Sequence, residues 1–251
     1  MRLVMTADLK DIDNKVKKNR EVYLTDEAIE QYSQYNLRFE EKTLIPRYFR
    51  QGSSVLDLAC GAGRTTVRLY EMGYVVKGVD LSDVLLNTAK KRFPYIVFET
   101  GNYCDICEAD ESYDNVFISF NGIDYAYPEE EREKAYKECN RVLKKGGHFM
   151  FSTHNIKWFH GVLFPWNKDR MLLVKNMFTA FKKQKYVYEK RTGLWTYYAS
   201  PEYIISRVER YGFKFKEKIG SSRYGTFQKF LKRETLDKYF CSWINYVFEK
   251  L

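Results

Sequence analysis

The sequence predicts an α/β fold, a doubly wound and mostly parallel sheet with helices on both faces, and three observations carry that expectation. Apolar runs of strand length alternate with helically periodic stretches from Ser54 onward. The first run, Val55-Leu56-Asp57-Leu58, breaks at Ala59-Cys60 into the turn Gly61-Ala62-Gly63, which opens an amphipathic helix. Glycines there permit positive φ and close backbone approach, and amides at the following helix start point outward as donors. Asp80 ends the next apolar run, about twenty residues on, the offset at which an acid meets ribose hydroxyls in nucleotide-binding βαβ units.

Residues 1–50 contain no glycine, are largely helical in pattern and carry Tyr23, Tyr32, Tyr35 and Tyr48; they read as an N-terminal helical cover. Strands are predicted at 54–59, 75–79, 96–100, 115–120 and 147–153, and helices at 63–72, 82–92 and 128–144. Pro128 marks the start of the last helix and Gly146-Gly147 its end. The crossovers are expected to be right-handed. Residues 156–200 interrupt this order: Ile156 to Phe181 is apolar and aromatic with interspersed lysines, and Tyr186–Arg191 with Leu194–Ala199 around Thr192-Gly193 reads as a hairpin. The segment is read as an inserted lid over the substrate site. In 201–251 the core sheet resumes: Ser200-Pro201-Glu202 caps a helix placed at Ser206–Tyr211, Gly212 ends it, Phe213–Ile219 is a strand, and Trp243–Phe248 is the last.

With 251 residues the chain is long enough for one sizeable core. It has no apolar run of about 18 residues and no charged-then-apolar leader, which predicts a cytoplasmic protein without a membrane span. Five cysteines at irregular spacing argue against a disulfide framework. Cys104-x-x-Cys107 lacks the further Cys or His partners of a zinc site, so no metal is expected and the pair reads as small loop residues. Charge is uneven. Residues 1–156 carry 22 basic and 25 acidic side chains, whereas 157–191 carry 9 and 2. Solvated lysines on a helix face account for most such runs, and a basic aromatic cover over a site also favours an anionic substrate or surface.

Two ligands compete for the glycine turn. A dinucleotide site wants G-x-G-x-x-G, and in Gly61-Ala62-Gly63-Arg64-Thr65-Thr66 a threonine stands where the third glycine allows close helix packing. Asp57-Leu58-Ala59-Cys60-Gly61-Ala62-Gly63 instead resembles motif I of the class I S-adenosylmethionine-dependent methyltransferases, with Ala59 in place of the usual first glycine. Further matches follow in family order: Gly78-Val79-Asp80-Leu81-Ser82, Gly101-Asn102-Tyr103-Cys104-Asp105-Ile106, Tyr113-Asp114-Asn115-Val116-Phe117, and Arg141-Val142-Leu143-Lys144-Lys145-Gly146-Gly147. The resemblance implies a Rossmann-like seven-stranded sheet of order 3-2-1-4-5-7-6, its last strand antiparallel, and makes 51–155 the cofactor-binding half. It resembles, more loosely, the small-molecule and glycan-modifying members.

By that resemblance S-adenosyl-L-methionine is the cofactor. Gly61 and Gly63 would approach its methionine portion, with Ala59 in the same turn and Asp57 supporting it from below. Asp80 would accept from the ribose hydroxyls, beside Leu81; helix capping is its plainer role. Asn102 would take the adenine amino group and Tyr103 would offer its backbone amide to the ring, while Ser119 begins the polar run 119–125 that faces the reactive methyl. A sulfonium methyl is already activated, so the protein's task is alignment and exclusion of water, with a base needed only for a hydroxyl acceptor. His154, at the end of Phe151-Ser152-Thr153-His154-Asn155, is the first candidate base, Asp124 the second and Tyr125 a positioning group; a plain loop hydrogen bond is the competing role for His154. The leading function is methyl transfer to an oxygen or nitrogen of a small polar, anionic or neutral, acceptor such as a sugar or nucleotide sugar. An RNA or lipid-linked substrate gripped by the basic aromatic segment Trp158–Phe181, and a non-catalytic S-adenosylmethionine-binding protein, are the alternatives; no RNA-binding appendage is recognisable.

Overall fold

The computed structural model describes residues 36–158, 184–189, 194–221 and 241–251. In chain order these give α1 (Phe39–Tyr48), β1 (Ser54–Leu58), α2 (Arg64–Glu71), β2 (Val75–Asp80), α3 (Asp83–Arg92), β3 (Val97–Thr100), β4 (Tyr113–Ile118), a short 3-10 turn (Gly122–Tyr125), α4 (Glu129–Val142), β5 (Leu143–Asn155), β6 (Gln184–Glu189), β7 (Leu194–Ala199), α5 (Pro201–Glu209), β8 (Phe213–Ser221) and β9 (Trp243–Lys250). Most of the N-terminal cover and of the lid segment, including the tyrosines before Asn36 and Phe159 to Phe181, lies outside the described residues.

Apolar side chains on alternate faces of the strands build two core layers. Leu56, Leu58, Val116, Ile118, Phe149 and Phe151 face α4 on one side; Val55, Phe117 and Met150 face α1, α2 and α3 on the other. Seven strands run in the order β3-β2-β1-β4-β5-β9-β8, parallel except for β9, which is antiparallel to both β5 and β8. The final strand therefore lies between two parallel ones, as the resemblance implies.

The hairpin of β6 and β7 joins this sheet at one place. His154 and Asn155 pair with Tyr198 and Ala199 of β7, while His154 also pairs with Trp243 of β9 on the opposite edge. Since β4 occupies the β7 side only as far as the Ile118–Phe151 pair, β5 projects beyond β4 and its bare edge is taken by the inserted hairpin.

Several predicted boundaries move, three of them for a visible physical reason. The helix expected over 128–144 ends at Val142, and Gly146-Gly147 lie within β5, not at a helix end. Two steps along β4, Tyr113 to Asn115, face five along β5, Leu143 to His148. A Cβ on Gly147 would meet Asp114 O at 2.7 Å, so the glycines serve a strand irregularity with close backbone approach. Strand β4 stops at Ile118, because Phe120 and Asn121 turn into the left-handed region at φ 53 and 60. Helix α5 starts at Pro201, earlier than Ser206, because Ser200 Oγ accepts the Tyr203 N–H at 3.2 Å and Pro201 fits the first turn.

Candidate functional site

The carboxyl ends of β1, β2, β4 and β5 converge, the edge at which open α/β sheets bind ligands. At β1, Ala59, Gly61 and Gly63 all take positive φ (54, 57 and 85), so the alanine adopts the conformation that the family glycine adopts without strain. A Cβ on Gly61 would meet Leu85 at 3.8 Å, an ordinary contact that leaves room for a side-chain carbon beside the bare backbone. Gly63 has none: its Cβ would lie 3.0 Å from the Phe98 ring.

Asp80 holds this turn. Its Oδ2 accepts the Gly61 N–H and its Oδ1 the Ser82 N–H, both at 2.8 Å, and burial pushes its carboxyl upward against those two bonds. Ser82 itself caps α3 through Leu85 N–H. Each Asp80 oxygen keeps a second lone pair for a hydroxyl donor. Leu81 beside it is exposed. Asn102 Oδ1 accepts the Cys104 N–H at 2.9 Å, and the Tyr103 hydroxyl donates to Gly122 O at 3.3 Å, which ties the loop after β3 to the loop after β4. Ser119 is buried at the end of β4, with its carbonyl accepting from Gly122 N–H.

Asp57, fully buried under the turn, accepts from Thr65 and Thr66 hydroxyls at 2.7 Å through Oδ2, and its Oδ1 has no partner among the described residues. Burial pushes its carboxyl up to about 6, with the threonine bonds pulling the other way. Thr66, the departure from a dinucleotide fingerprint, is thus an anchor for this acid. A carboxyl raised in the fold binds its proton there more tightly than in the unfolded chain, so its ionisation weakens the fold as pH rises from about 4 to about 6. Asp57→Asn is expected to melt higher than wild type at pH 8 by an amount equivalent to about 3 kcal/mol at most, with the gap closing by pH 4. Thermal melts of both proteins across that range check it.

Asp124 and His154 come together at the next strand ends. Asp124 Oδ2 lies 2.7 Å from His154 Nδ1 and accepts the His154 backbone N–H at 2.7 Å, while Oδ1 accepts the Thr153 hydroxyl. Both residues are buried, and the ring retains a small exposed area. An ionised carboxylate only accepts, so the neutral imidazole carries its hydrogen on Nδ1 and leaves Nε2 bare. Tyr125 ends the 3-10 turn that contains Asp124 and is half-buried.

Several residues of this site were not singled out by the sequence. Trp243, His154 and Tyr198 form one row across β9, β5 and β7, with ring centroids 5.6 and 4.9 Å apart, and Phe120 stands edge-on to Trp243 at 5.0 Å. Arg38 lies over the Trp243 ring at 4.7 Å and Arg64 over Phe120 at 5.0 Å. Arg64 is also buried in a two-bond pair with Glu41 of α1, which seats the N-terminal helix beside the glycine turn. Buried Arg132 of α4 donates to Ile123 O, Ala126 O and the Tyr186 hydroxyl, and lies 3.4 Å over the Tyr197 ring. It fastens the inserted hairpin to the loop that carries Asp124. Among the described residues no group of His, Cys, Asp and Glu could hold a metal ion, and no helix is long and apolar enough to cross a membrane.

Comparison with known proteins agrees with this geometry. Residues 55–147, from β1 into β5, match the family model for a methyltransferase domain. Fold and match together point to one class: residues 55–147 match a methyltransferase domain and form part of a Rossmann-like sheet. The Bacillus subtilis protein YqeM is 33% identical over 104 residues, 40% of this chain and 42% of YqeM, so the chain spans less than half the length of that relative. An uncharacterized protein of Methanocaldococcus jannaschii is 28% identical over 238 residues, 88% of this chain and 85% of its own. A SAM-dependent methyltransferase structure from Methanosarcina mazei matches with a TM-score of 0.64 at 16% identity, over 86% of this chain and 99% of that one.

Proposed function

We propose that the protein transfers the methyl group of S-adenosylmethionine to an oxygen or nitrogen of a small polar acceptor, a sugar or nucleotide sugar being the kind that fits. The observation that carries this reading is the Asp124–His154 pair, hydrogen-bonded at 2.7 Å on the same sheet edge as the glycine turn. The donor set suits that cofactor: bare backbone at Gly61 with no close neighbour, the two oxygens of Asp80 for ribose hydroxyls, and Oδ1 of Asp57 under the turn, unpartnered among the described residues. When bound, the cofactor supplies an activated methyl group on a sulfonium. The chain then has three tasks. The turn and Asp80 orient the donor, the row of rings around His154 excludes water from the acceptor, and His154 takes the proton of a hydroxyl acceptor at Nε2. Asp124 keeps that nitrogen bare.

Asp80→Ala is expected to lower donor affinity at least tenfold, about 1.4 kcal/mol, because the ribose loses its acceptor and the turn loses its brace. Calorimetric titration with S-adenosylhomocysteine reads it, and equal affinity in variant and wild type removes Asp80 from the donor site. Methyl-labelled donor incubated with sugars, nucleotide sugars and amines identifies the acceptor; no transfer to any of them counts against the catalytic reading.

A further inference from the structure

Asn121 is fully buried at φ 60, and its backbone N–H donates to Ser152 Oγ at 2.8 Å, so the main chain is pinned while the amide can still turn. Nδ2 lies 3.3 Å from His154 Nε2, whereas Oδ1 has no hydrogen-bond partner among the described residues. An amide nitrogen offers hydrogens and no acceptor, so this contact requires a bare Nε2. At the other end of the ring, the Asp124 carboxylate requires a protonated Nδ1. Two neighbours thus impose one tautomer from opposite sides. Moreover, nitrogens 3.3 Å apart can share a single oxygen, since hydrogen bonds of about 2.8–3.0 Å from each close a triangle over that base.

We propose that Asn121 is a positioning residue that makes this site select a neutral hydroxyl as its methyl acceptor: Nε2 of His154 takes the hydroxyl proton and Asn121 Nδ2–H donates to the same oxygen. The inference rests on His154 being the base, as read above. In the step, the acceptor O–H bond breaks toward Nε2 and a C–O bond forms to the methyl carbon. The C–S bond breaks with its electron pair left on sulfur, and the sulfonium charge ends as imidazolium charge on His154. An ammonium group presents hydrogens only, with no lone pair for Asn121 or for the methyl carbon, so it is rejected on both counts. Once the ring is protonated, the amide turns and Oδ1, orphaned beside the neutral ring, accepts from Nε2–H. Among the described residues, the titratable groups against the ring are Asp124 from the loop after β4 and Tyr198 from β7.

The chain has three histidines, so imidazole nitrogen NMR of the full-length protein with S-adenosylhomocysteine bound can follow His154 individually. Wild type is expected to show the Nδ1–H tautomer when neutral. In Asn121→Asp, which is isosteric and tolerates positive φ, the acceptor-only side chain holds the proton on Nε2. The titration midpoint of His154 then rises by at least one pH unit, and label transfer to hydroxyl acceptors at pH 7 falls at least a hundredfold. Asn121→Gly keeps the backbone and leaves Asp124 in place, so it is expected to retain the Nδ1–H tautomer without the upward shift, while label transfer to hydroxyl acceptors still falls. A wild-type Nε2–H tautomer, an unmoved midpoint in Asn121→Asp, or label found on an amine nitrogen overturns the proposal. If wild type labels nothing, the methyltransferase reading fails, and the Asn121→Asp spectra still decide whether Asn121 acts on Nε2 of His154.

Discussion

Asp124→Asn is expected to reduce methyl transfer by a factor of about 100 to 10,000 while leaving donor affinity within about twofold, the scale seen when a carboxylate that orients a catalytic imidazole is made an amide. The carboxylate now accepts from the Thr153 hydroxyl, the His154 backbone and the ring at once. An amide in its place presents hydrogens to one of these. Turned toward Nδ1, it demands a bare nitrogen there and moves the ring proton to Nε2, where the acceptor's proton has to go. The donor turn, built from β1 and β2, is untouched. Label transfer to the acceptor identified with wild type, paired with calorimetry on S-adenosylhomocysteine, separates the two readouts. A rate within fivefold of wild type would mean that the pair is a structural contact.

Arg132→Ala is expected to cost about 3–5 kcal/mol of folding stability, the range for breaking a buried charge network from one side. Arg132 is 1% exposed and bonds two backbone carbonyls, Glu129 and the Tyr186 hydroxyl. Its removal takes a second donor from Ile123 O and Ala126 O, which keep the Ala126 N–H and the Tyr186 hydroxyl, breaks the ion pair with Glu129, and opens a void under Tyr197. Arg132→Met, which refills the volume but not the hydrogen bonds, is expected to lose less. Denaturant unfolding of both variants measures this, and a loss under about 1 kcal/mol for the alanine would show that the network contributes little.

The proposed donor side of this site has a geometry legible in the sequence because it is local: the turn, Asp57 and Asp80 lie within one βαβ unit, where period and spacing fix geometry. That His154 and Asp124 share one sheet edge is also a local inference once the strands are parallel, but the sequence offers them as alternative bases, and their pairing is seen only in the structure. Trp243 and Tyr198 are different. They reach His154 only through the antiparallel last strand and the inserted hairpin, whose register no motif states. Arg132, after Glu129-Glu130-Glu131, reads as one charge on a solvated helix face; burial comes from Tyr186 and Tyr197, more than fifty positions away. Asn121 lay inside the polar run after β4, and its one visible signal was the Asn-Gly pair, which favours the left-handed turn it adopts.

Because β5 outruns β4, the stretch that bears His154 borrows its neighbours from the hairpin on one side and the terminal strand on the other. Under the proposed function, adenosyl recognition and acceptor choice would fall to separate stretches of polypeptide that meet at a single imidazole. Exchanging the hairpin should retune which molecule is modified without rebuilding the half that supplies the methyl group, a division of labour open to evolution and to the protein engineer alike.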